Sequence, residues 1–357
     1  MKMLRAHLAL IACLGFAANA LAQTPKYKIQ ISDYQTVTAT MSYEIQTTNF
    51  AADRWLVFLP DPPELPSQSL IKVVSDPVGT IVTENSSLAR NVRFIDLKVD
   101  EPRAGSKLPV KLEIQTTLRT RKLVPLKMGE KLPQVEELTD TEQKYYTSPS
   151  RYLDFEEKPF CDWLDAKKLH PKKGESPLDF AARILELLRA DIEYKFDPLD
   201  EKRASVMCGK KAGDCGGMSY LFVAAMRANQ IPARALVGRL ARPRQEGSLP
   251  ADAGYEQPHI RAEIYLNAIG WVPVDPANAN VKKNRPVKAF IGYDPGDLLV
   301  LHVDVDLKLP FPDPPGEKIF VGLQLEPAYW TFGKGTFDAK FGPTGWDLKT
   351  KLIEKKK

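Results

Sequence analysis

The chain has 357 residues, with 50 lysines and arginines against 45 aspartates and glutamates. This length exceeds one domain of about 100–200 residues, so we expect two folded units with ample core. The small excess of positive charge is too weak to indicate a nucleic-acid-binding protein, and we predict no nucleic-acid partner.

Residues 1–22 have the pattern of a secretory signal peptide. Lys2 and Arg5 precede the apolar run Leu8–Ala18, and Ala20-Leu21-Ala22 has the small-x-small pattern that a signal peptidase cleaves. The run is shorter than the roughly 18 apolar residues that a membrane span needs. We therefore predict a cleaved signal, a periplasmic or secreted mature protein, and no stable membrane insertion afterwards.

The four cysteines restrict the chemistry. Cys13 ends a sequence that resembles a lipobox, Leu10-Ile11-Ala12-Cys13, so lipid attachment is the alternative to a cleaved signal. Without the signal, Cys161, Cys208 and Cys215 remain, an odd number for a disulfide-permissive compartment. One thiol should therefore stay free. If the free thiol is Cys215, a bridge between Cys161 and Cys208 is the only possible intramolecular disulfide.

Residues 23–120 alternate between apolar and polar side chains, which predicts β-strands with one buried face. The apolar set of the first strand is Val37, Ala39, Met41, Tyr43 and Ile45. Similar runs follow at Trp55–Leu59, Ile71–Val74, Val92–Val99 and Val110–Leu118. We predict a β-sandwich-like domain. It has no Cys or His between Gln23 and Thr120, so it is expected to support or present substrate.

Residues 121–175 are rich in Lys, Glu and Pro with weak periodicity, which is typical of a linker region. Ser176, as the N-cap before Pro177, then predicts a helix with one apolar face. A second helix is predicted from Cys215 to Asn229, where Ile231-Pro232 stops it.

The pattern then returns to strands, at Ala235–Leu240, His259–Leu266 and Trp271–Val274, with a tight turn at Asn267–Gly270 joining the last two. Helices followed by antiparallel strands indicate an α+β domain, which we place at residues 176–310. The runs Leu298–Leu307 and Ile319–Leu325 are also strand-like. Residues 311–357 form a β-rich C-terminal extension.

Gly213-Asp214-Cys215-Gly216-Gly217 opens the second predicted helix. A thiol at a helix N-terminus lies near unpaired backbone N–H groups, which favour the thiolate and therefore nucleophilicity. The glycines let a substrate carbonyl approach the backbone, and the N–H of Cys215 is placed to hold an oxyanion. Asp214 would oppose the thiolate unless it caps the helix.

A thiolate used for acyl transfer needs a base that also protonates the leaving amine. His259 begins a predicted strand, whereas His170 lies in the linker, where it is expected to be solvated, and His302 lies in a later strand, where it is expected to be structural. Asp275 ends the strand predicted to pair with that of His259. Residues on paired strands lie side by side, so Asp275 can accept a hydrogen bond from the imidazole.

These residues make a family resemblance visible. Residues 213–234, Gly-Asp-Cys-Gly-Gly-Met-Ser-Tyr-Leu-Phe-Val-Ala-Ala-Met-Arg-Ala-Asn-Gln-Ile-Pro-Ala-Arg, closely resemble the cysteine helix of the bacterial transglutaminase-like superfamily. The segment from His259 through Gly-Trp-Val-Pro-Val-Asp-Pro resembles the histidine and aspartate strands of that family. The resemblance implies a papain-like fold, with Cys215 as nucleophile, His259 as general base and acid, and Asp275 as the residue that orients His259.

The resemblance extends more loosely to the stretch Phe290–Asp297, which commonly accompanies this domain in exported members. Two positions depart from the family pattern. Gln230 stands where Gly commonly precedes Ile-Pro, and Arg261 stands where an aromatic residue usually follows the histidine by two. Because Arg261 should lie on the same side of the strand as His259, it would alter substrate preference or supply a cation near the site. A member that has lost activity is the alternative.

We therefore predict an exported cysteine enzyme that forms a thioester with the acyl group of a peptide or protein substrate. Water or an amine then accepts the acyl group, and aqueous surroundings favour a peptidase or amidase over a crosslinking transferase. The alternative is a catalytically inactive protein-interaction scaffold. No cofactor is predicted, and a metal site from Cys208, Cys215 and His259 is disfavoured because it lacks a fourth ligand and short cysteine spacing.

Overall fold

The computed structural model describes residues 26–131, 133–197, 200–242, 255–341 and 345–353, so the predicted signal peptide lies outside the described residues. The fold combines helices with mostly antiparallel sheets, which confirms the α+β prediction. Within the described ranges, no helix is both long and apolar enough to cross a membrane.

The first part of the described chain consists of six strands, β1 (Tyr27–Thr47), β2 (Phe50–Pro60), β3 (Gln68–Asp76), β4 (Thr80–Thr83), β5 (Asn91–Lys98) and β6 (Lys107–Pro125). Strand β1 pairs with β6 over almost its whole length, and β2 pairs with β5 in a second sheet. The predicted alternation in β1 is confirmed, because Val37, Met41 and Ile45 are buried while their neighbours are more exposed. These apolar side chains share a core with Trp55 of β2, as in a sandwich of two sheets.

Helices and short strands follow: α1 (Asp140–Tyr145), α2 (Lys158–Ala166), α3 (Pro177–Asp191), β7 (Glu193–Tyr194), α4 (Ala204–Met207), β8 (Ala212–Gly213) and α5 (Cys215–Ala228). Ser176 caps α3 as predicted, since its hydroxyl accepts the backbone N–H of Asp179. Helix α5 is buried along nearly its whole length, so it is the central helix of this half.

The next elements are β9 (Ala233–Arg242), β10 (Tyr255–Leu266), β11 (Gly270–Val274), α6 (Pro276–Val281), a 3-10 helix (Val287–Phe290), β12 (Tyr293–Asp294) and β13 (Leu298–Val303). Four of these strands form an antiparallel sheet in the order β11-β10-β9-β13. The predicted turn between β10 and β11 is confirmed by the pairing of Leu266 with Gly270. Strand β12 instead pairs with β6, so the Phe290–Asp297 stretch reaches the first sheet.

The chain ends in five strands, β14 (Leu307–Pro312), β15 (Pro315–Phe320), β16 (Ala328–Gly335), β17 (Ala339–Phe341) and β18 (Gly345–Leu352). Strand β16 pairs with β2, and both β17 and β18 pair with β1. The strand expected at Ile319–Leu325 ends at Phe320, because Gly322 takes a positive φ of 92° and turns the chain. The end of the chain therefore completes the two sheets that its beginning starts.

The four-stranded sheet lies between two cores. Helix α5 packs on one face of the sheet, where Phe222 shares a cluster with Val237 and Ile260. On the other side, Leu299 and Leu301 of β13 join the sandwich core. The two halves of the molecule are therefore packed through this sheet.

Candidate active site

Helix α5 fixes the position of Cys215. Asp214 is the N-cap, and its Oδ1 accepts the backbone N–H of Gly217 at 3.0 Å. The thiol therefore lies in the first turn, where free backbone N–H groups favour an anion. Cys215 is only 5% exposed, so reagents reach it through a cleft rather than over an open surface.

Lys202 offsets the charge of Asp214. Its Nζ lies 3.3 Å from Asp214 Oδ2, and it also donates to the carbonyl oxygens of Asp197 at 2.7 Å and Asp200 at 3.2 Å. Asp214 therefore divides its two oxygens between the helix cap and this ammonium group. Asp214 thus meets the condition stated from the sequence, that it cap the helix, and the lysine further offsets the charge of its carboxylate beside the thiol.

The glycines beside Cys215 have different roles. Gly216 lines the cleft, as expected of a position that a substrate approaches. A Cβ on Gly217 would lie 2.6 Å from Cε of Met207, and a Cβ on Gly213 would meet the same atom at 2.6 Å. Larger residues at 213 and 217 would therefore have to displace the end of the Met207 side chain, and neither glycine is among the described residues that line the cleft.

Strand β10 brings His259 to the thiol, and the end of β11 brings Asp275 to His259. The Nε2 atom of His259 lies 3.3 Å from Oδ2 of Asp275. The Cys215 thiol lies close enough to the His259 ring to raise its pKa, and both residues line the same cleft. Helix α5 is fastened to the same strand by Ser219, whose hydroxyl donates to the carbonyl of Ile260 at 3.0 Å. The structure thus places the three sequence-predicted residues in one row, with His259 next to Cys215 and hydrogen-bonded to Asp275.

The row stabilises a protonated imidazole. Burial alone would lower the pKa of His259, but the Asp275 carboxylate and the Cys215 thiol raise this pKa to about 9. Burial would raise the pKa of Asp275, yet the charge and hydrogen bond of His259 hold it well below its usual range. At neutral pH the pair is therefore an imidazolium and a carboxylate.

Asp275 is held by more than His259. It is the N-cap of α6, and its Oδ1 accepts the backbone N–H of Asn278 at 3.0 Å. Its Oδ2 accepts the side-chain amide of Asn278 at 2.6 Å and Nε of Arg261 at 2.9 Å. The carboxylate therefore has one orientation relative to the imidazole.

Arg261 lies on the same side of β10 as His259, as the strand period predicted. Its side chain is 3% exposed, and its two terminal nitrogens donate to Asp294 at 3.1 Å and Asp297 at 2.6 Å. It supplies a cation near the site, but the residues that line the cleft in the described part of the chain do not include it. Arg261 thus lies behind Asp275.

A cleft of about 450 Å³ opens above the thiol. Its described lining residues, besides Cys215, Gly216 and His259, come from four segments of the chain: Tyr152; Phe196, Asp200, Glu201, Lys202, Asp214 and Tyr220; Pro258 and Ile260; and Val321, Gly322, Gln324, Leu325 and Glu326. Residues 321–326 belong to the segment after β15, so the C-terminal part of the chain forms one wall. Carboxylates outnumber the single lysine along this lining.

The other predicted residues lie apart from the cleft. Cys161 and Cys208, the pair that would bridge if Cys215 is free, are both free thiols in this structure, and the bridge stays a prediction. His170 is exposed and contacts Asp165. His302 is buried with Nδ1 donating to the carbonyl of Asp304, and burial together with Arg90 lowers its pKa to about 3. Among the described residues, no group of three His, Cys, Asp or Glu side chains is arranged to hold a metal ion.

The residues that hold Asp275 in place were not predicted from the sequence. Asn278 follows Asp275 by three positions, the spacing of an N-cap partner, so a local signal for it existed. The resemblance covers the Phe290–Asp297 stretch but assigns no role to Asp294 or Asp297, and the sequence gives no signal that Arg121 of β6 contacts Asp294. Their function depends on contacts between residues far apart in sequence.

Comparison with known proteins agrees with this geometry. Residues 167–276 match the family model of the transglutaminase-like superfamily. An uncharacterized protein of Haemophilus influenzae is 25% identical over 305 residues, which cover 80% of this chain and 79% of that protein.

Two solved structures are also similar. A candidate cysteine protease from Cytophaga hutchinsonii shares the fold with a TM-score of 0.55 at 13% identity, over 92% of this chain and 94% of that one. The periplasmic domain of TgpA from Pseudomonas aeruginosa aligns over 71% of this chain and 93% of its own, at 13% identity and a TM-score of 0.33, which is too weak to carry an argument. This chain therefore carries a domain of the transglutaminase-like superfamily, built around helix α5 and the sheet that holds His259.

Proposed function

We propose that this protein is an exported cysteine enzyme that transfers the acyl group of a peptide amide to water. The observation that carries the proposal is that His259 is hydrogen-bonded to the Asp275 carboxylate and lines one cleft together with the Cys215 thiol. An imidazolium between a sulfur and a carboxylate is the arrangement that sulfur nucleophiles use.

The first half of the reaction forms a thioester. The Cys215 thiolate attacks the amide carbonyl carbon, and the N–H at the start of α5 stabilises the resulting oxyanion. The His259 imidazolium then donates its proton to the amide nitrogen. The C–N bond breaks, the amine leaves, and the acyl group remains on sulfur.

The second half regenerates the thiolate. His259, now neutral, takes a proton from water, whose oxygen attacks the thioester carbonyl. The C–S bond breaks, the acid leaves, and the thiolate and imidazolium are restored. An amine nucleophile would follow the same path and yield a new amide, so the acceptor distinguishes a peptidase or amidase from a transferase. Asp275 acts in both halves by orienting the imidazole and by stabilising it whenever it is protonated.

The proposal is tested with the mature protein, residues 23–357, and a mixture of peptides in water enriched in oxygen-18, with and without dansylcadaverine as a primary amine. New peptide termini that carry oxygen-18 support hydrolysis, and dansylated peptides support transfer instead. Cys215→Ala should abolish either product. Cys208→Ala removes a thiol outside the cleft and should not change the products.

Products that persist in Cys215→Ala would contradict the proposal. If neither wild type nor variant yields products and Cys215 does not react with a thiol reagent, the fold would serve as a protein-interaction scaffold.

A further inference from the structure

Arg261 joins three carboxylates, one at the start of α6 and two from the stretch that contains β12. Its Nε donates to Asp275 at 2.9 Å, and its terminal nitrogens donate to Asp294 and Asp297 at 3.1 and 2.6 Å. All four side chains are at most 9% exposed. Because three carboxylates bind this guanidinium in a buried region, it is fixed in one orientation. It fixes the orientation of the Asp275 carboxylate in turn.

A second arginine, from the N-terminal sheet, binds one of these carboxylates. Arg121 of β6 donates from Nε and one terminal nitrogen to Asp294 Oδ2, at 3.2 and 2.9 Å, and its remaining terminal nitrogen contacts Glu263. Asp294 is therefore shared, with one oxygen on Arg121 and the other on Arg261. Strand β12, which carries Asp294, also pairs directly with β6.

Gly296 allows the loop that carries Asp297 to pack closely against β6. It has a φ of 75°, and a Cβ there would lie 2.9 Å from the backbone carbon of Arg119 in β6. Its N–H donates to Asp294 Oδ1 at 2.9 Å. The loop is thus pressed against the N-terminal sheet, which fixes both acids that hold Arg261.

Arg261 and His259 use the same oxygen of Asp275. Both lie within hydrogen-bonding distance of Oδ2, so the guanidinium draws electron density from the atom that stabilises the imidazolium. Other charged or titratable groups line the cleft with His259: Tyr152, Asp200, Glu201 and Lys202 before α5, Asp214, Cys215 and Tyr220 in its first turns, and Glu326 on the wall after β15.

We infer that Arg261 is a positioning residue, which anchors Asp275 to the N-terminal β domain and limits how firmly Asp275 holds the proton of His259. The inference rests on the proposed function, because it concerns the same His259 and Cys215. The β domain thereby influences how firmly His259 holds its proton, through the contacts of Arg121, Asp294 and Arg261.

The structure allows Arg261 to be replaced without leaving an acid unpaired. Asp294 keeps Arg121, and Asp297 keeps Arg242, whose Nε lies 2.6 Å from its Oδ2. Asp275 keeps His259 and Asn278. Arg261→Gln is therefore expected to fold.

The test measures the pKa of His259 by NMR in the mature protein labelled at histidine Cε1 with carbon-13. The sequence has only four histidines, and the His259 signal is assigned by its loss in His259→Gln. Arg261→Gln should raise the pKa of His259 by about one pH unit, because a cation beside its acid is removed. Arg261→Lys keeps the charge and should restore most of the wild-type value.

Two further variants make the result specific. Asn278→Ala removes an uncharged donor from the same oxygen and should shift the pKa less than Arg261→Gln does. Asp297→Asn is isosteric, leaves the positive charge of Arg261 less neutralised, and should lower the pKa of His259.

A folded Arg261→Gln protein with an unchanged His259 pKa would overturn the inference. If that variant does not fold, Asp297→Asn decides, and an unchanged pKa there overturns it equally. The proposed function is judged separately by iodoacetamide labelling of wild-type Cys215. If Cys215 is reactive but the pKa of His259 does not change in Arg261→Gln, the proposed enzyme function stands and only this inference is overturned.

Discussion

Oδ2 of Asp275 receives three donors, from His259, Arg261 and Asn278. The pairing of His259 with Asp275 could be predicted from sequence, because both lie on adjacent strands of a hairpin whose turn is readable. The partners of Arg261 could not be predicted, since Asp294 is 33 residues away and meets it only through the packing of β12 on β6. The two-residue period of a strand gives the face on which a side chain lies, but it does not give the residues that the side chain contacts there.

The raised pKa of His259 makes stability depend on pH. The folded pKa of about 9 lies above the unfolded value of roughly 6.5, so the stabilisation is fully present below about pH 6.5 and is lost as pH rises through 9. Between pH 6 and pH 9.5 we expect wild type to lose on the order of 2 kcal/mol more unfolding free energy than His259→Gln. Urea unfolding at both pH values measures this, with His170→Gln as a surface-histidine control that should behave like wild type. Parallel losses in wild type and His259→Gln would contradict it.

At the scale of elements, strand β9 supports the strand that carries His259. Gly238 pairs with His259 on one side and lies against β13 on the other, where its missing Cβ makes room for the carbonyl of Leu299. The sequence pattern predicted β9 and the strand that carries His259. It did not predict that β13 would pair with the other edge of β9. That contact joins residues about 60 positions apart, and single-strand patterns do not encode such pairings.

Gly238→Ala should separate β9 from β13. The added Cβ would lie 2.0 Å from the Leu299 carbonyl oxygen, a backbone atom that moves only with its strand. We expect a loss of about 1–3 kcal/mol in unfolding free energy. The matched control is Gly209→Ala, whose Cβ would meet its nearest atom at 3.7 Å and should change stability by less than about 0.5 kcal/mol. Equal effects of the two substitutions in urea unfolding would refute this account of Gly238.

At the scale of the whole molecule, the beginning and end of the chain fold together. Strands β16, β17 and β18 pair with β1 and β2, and Leu348 of β18 lies in the same core as Met41 and Trp55. The N-terminal strands were predictable from their alternation of apolar and polar residues. The return of the C-terminal strands was not, because an amphipathic strand does not specify which sheet it joins.

We therefore expect the chain to unfold as one unit. Leu348→Ala removes a buried side chain and should cost about 2–5 kcal/mol, lowering the urea midpoint of the whole molecule. Leu352→Ala, on the same strand but 52% exposed, should have little effect. Tryptophan fluorescence and far-UV circular dichroism follow the transition. Two separate transitions, with only one shifted by Leu348→Ala, would show that the halves unfold independently.

The central claim is that Cys215 and His259 act as an ion pair, and the most direct measurement is iodoacetamide labelling of the mature protein at pH 6, mapped by mass spectrometry. We predict that Cys215 reacts about tenfold faster than the exposed Cys161, and that His259→Ala removes this difference. Cys208, whose pKa is raised by burial and by Asp154, should react slowly in both proteins. A Cys215 that is unreactive, or equally reactive without His259, would contradict the claim.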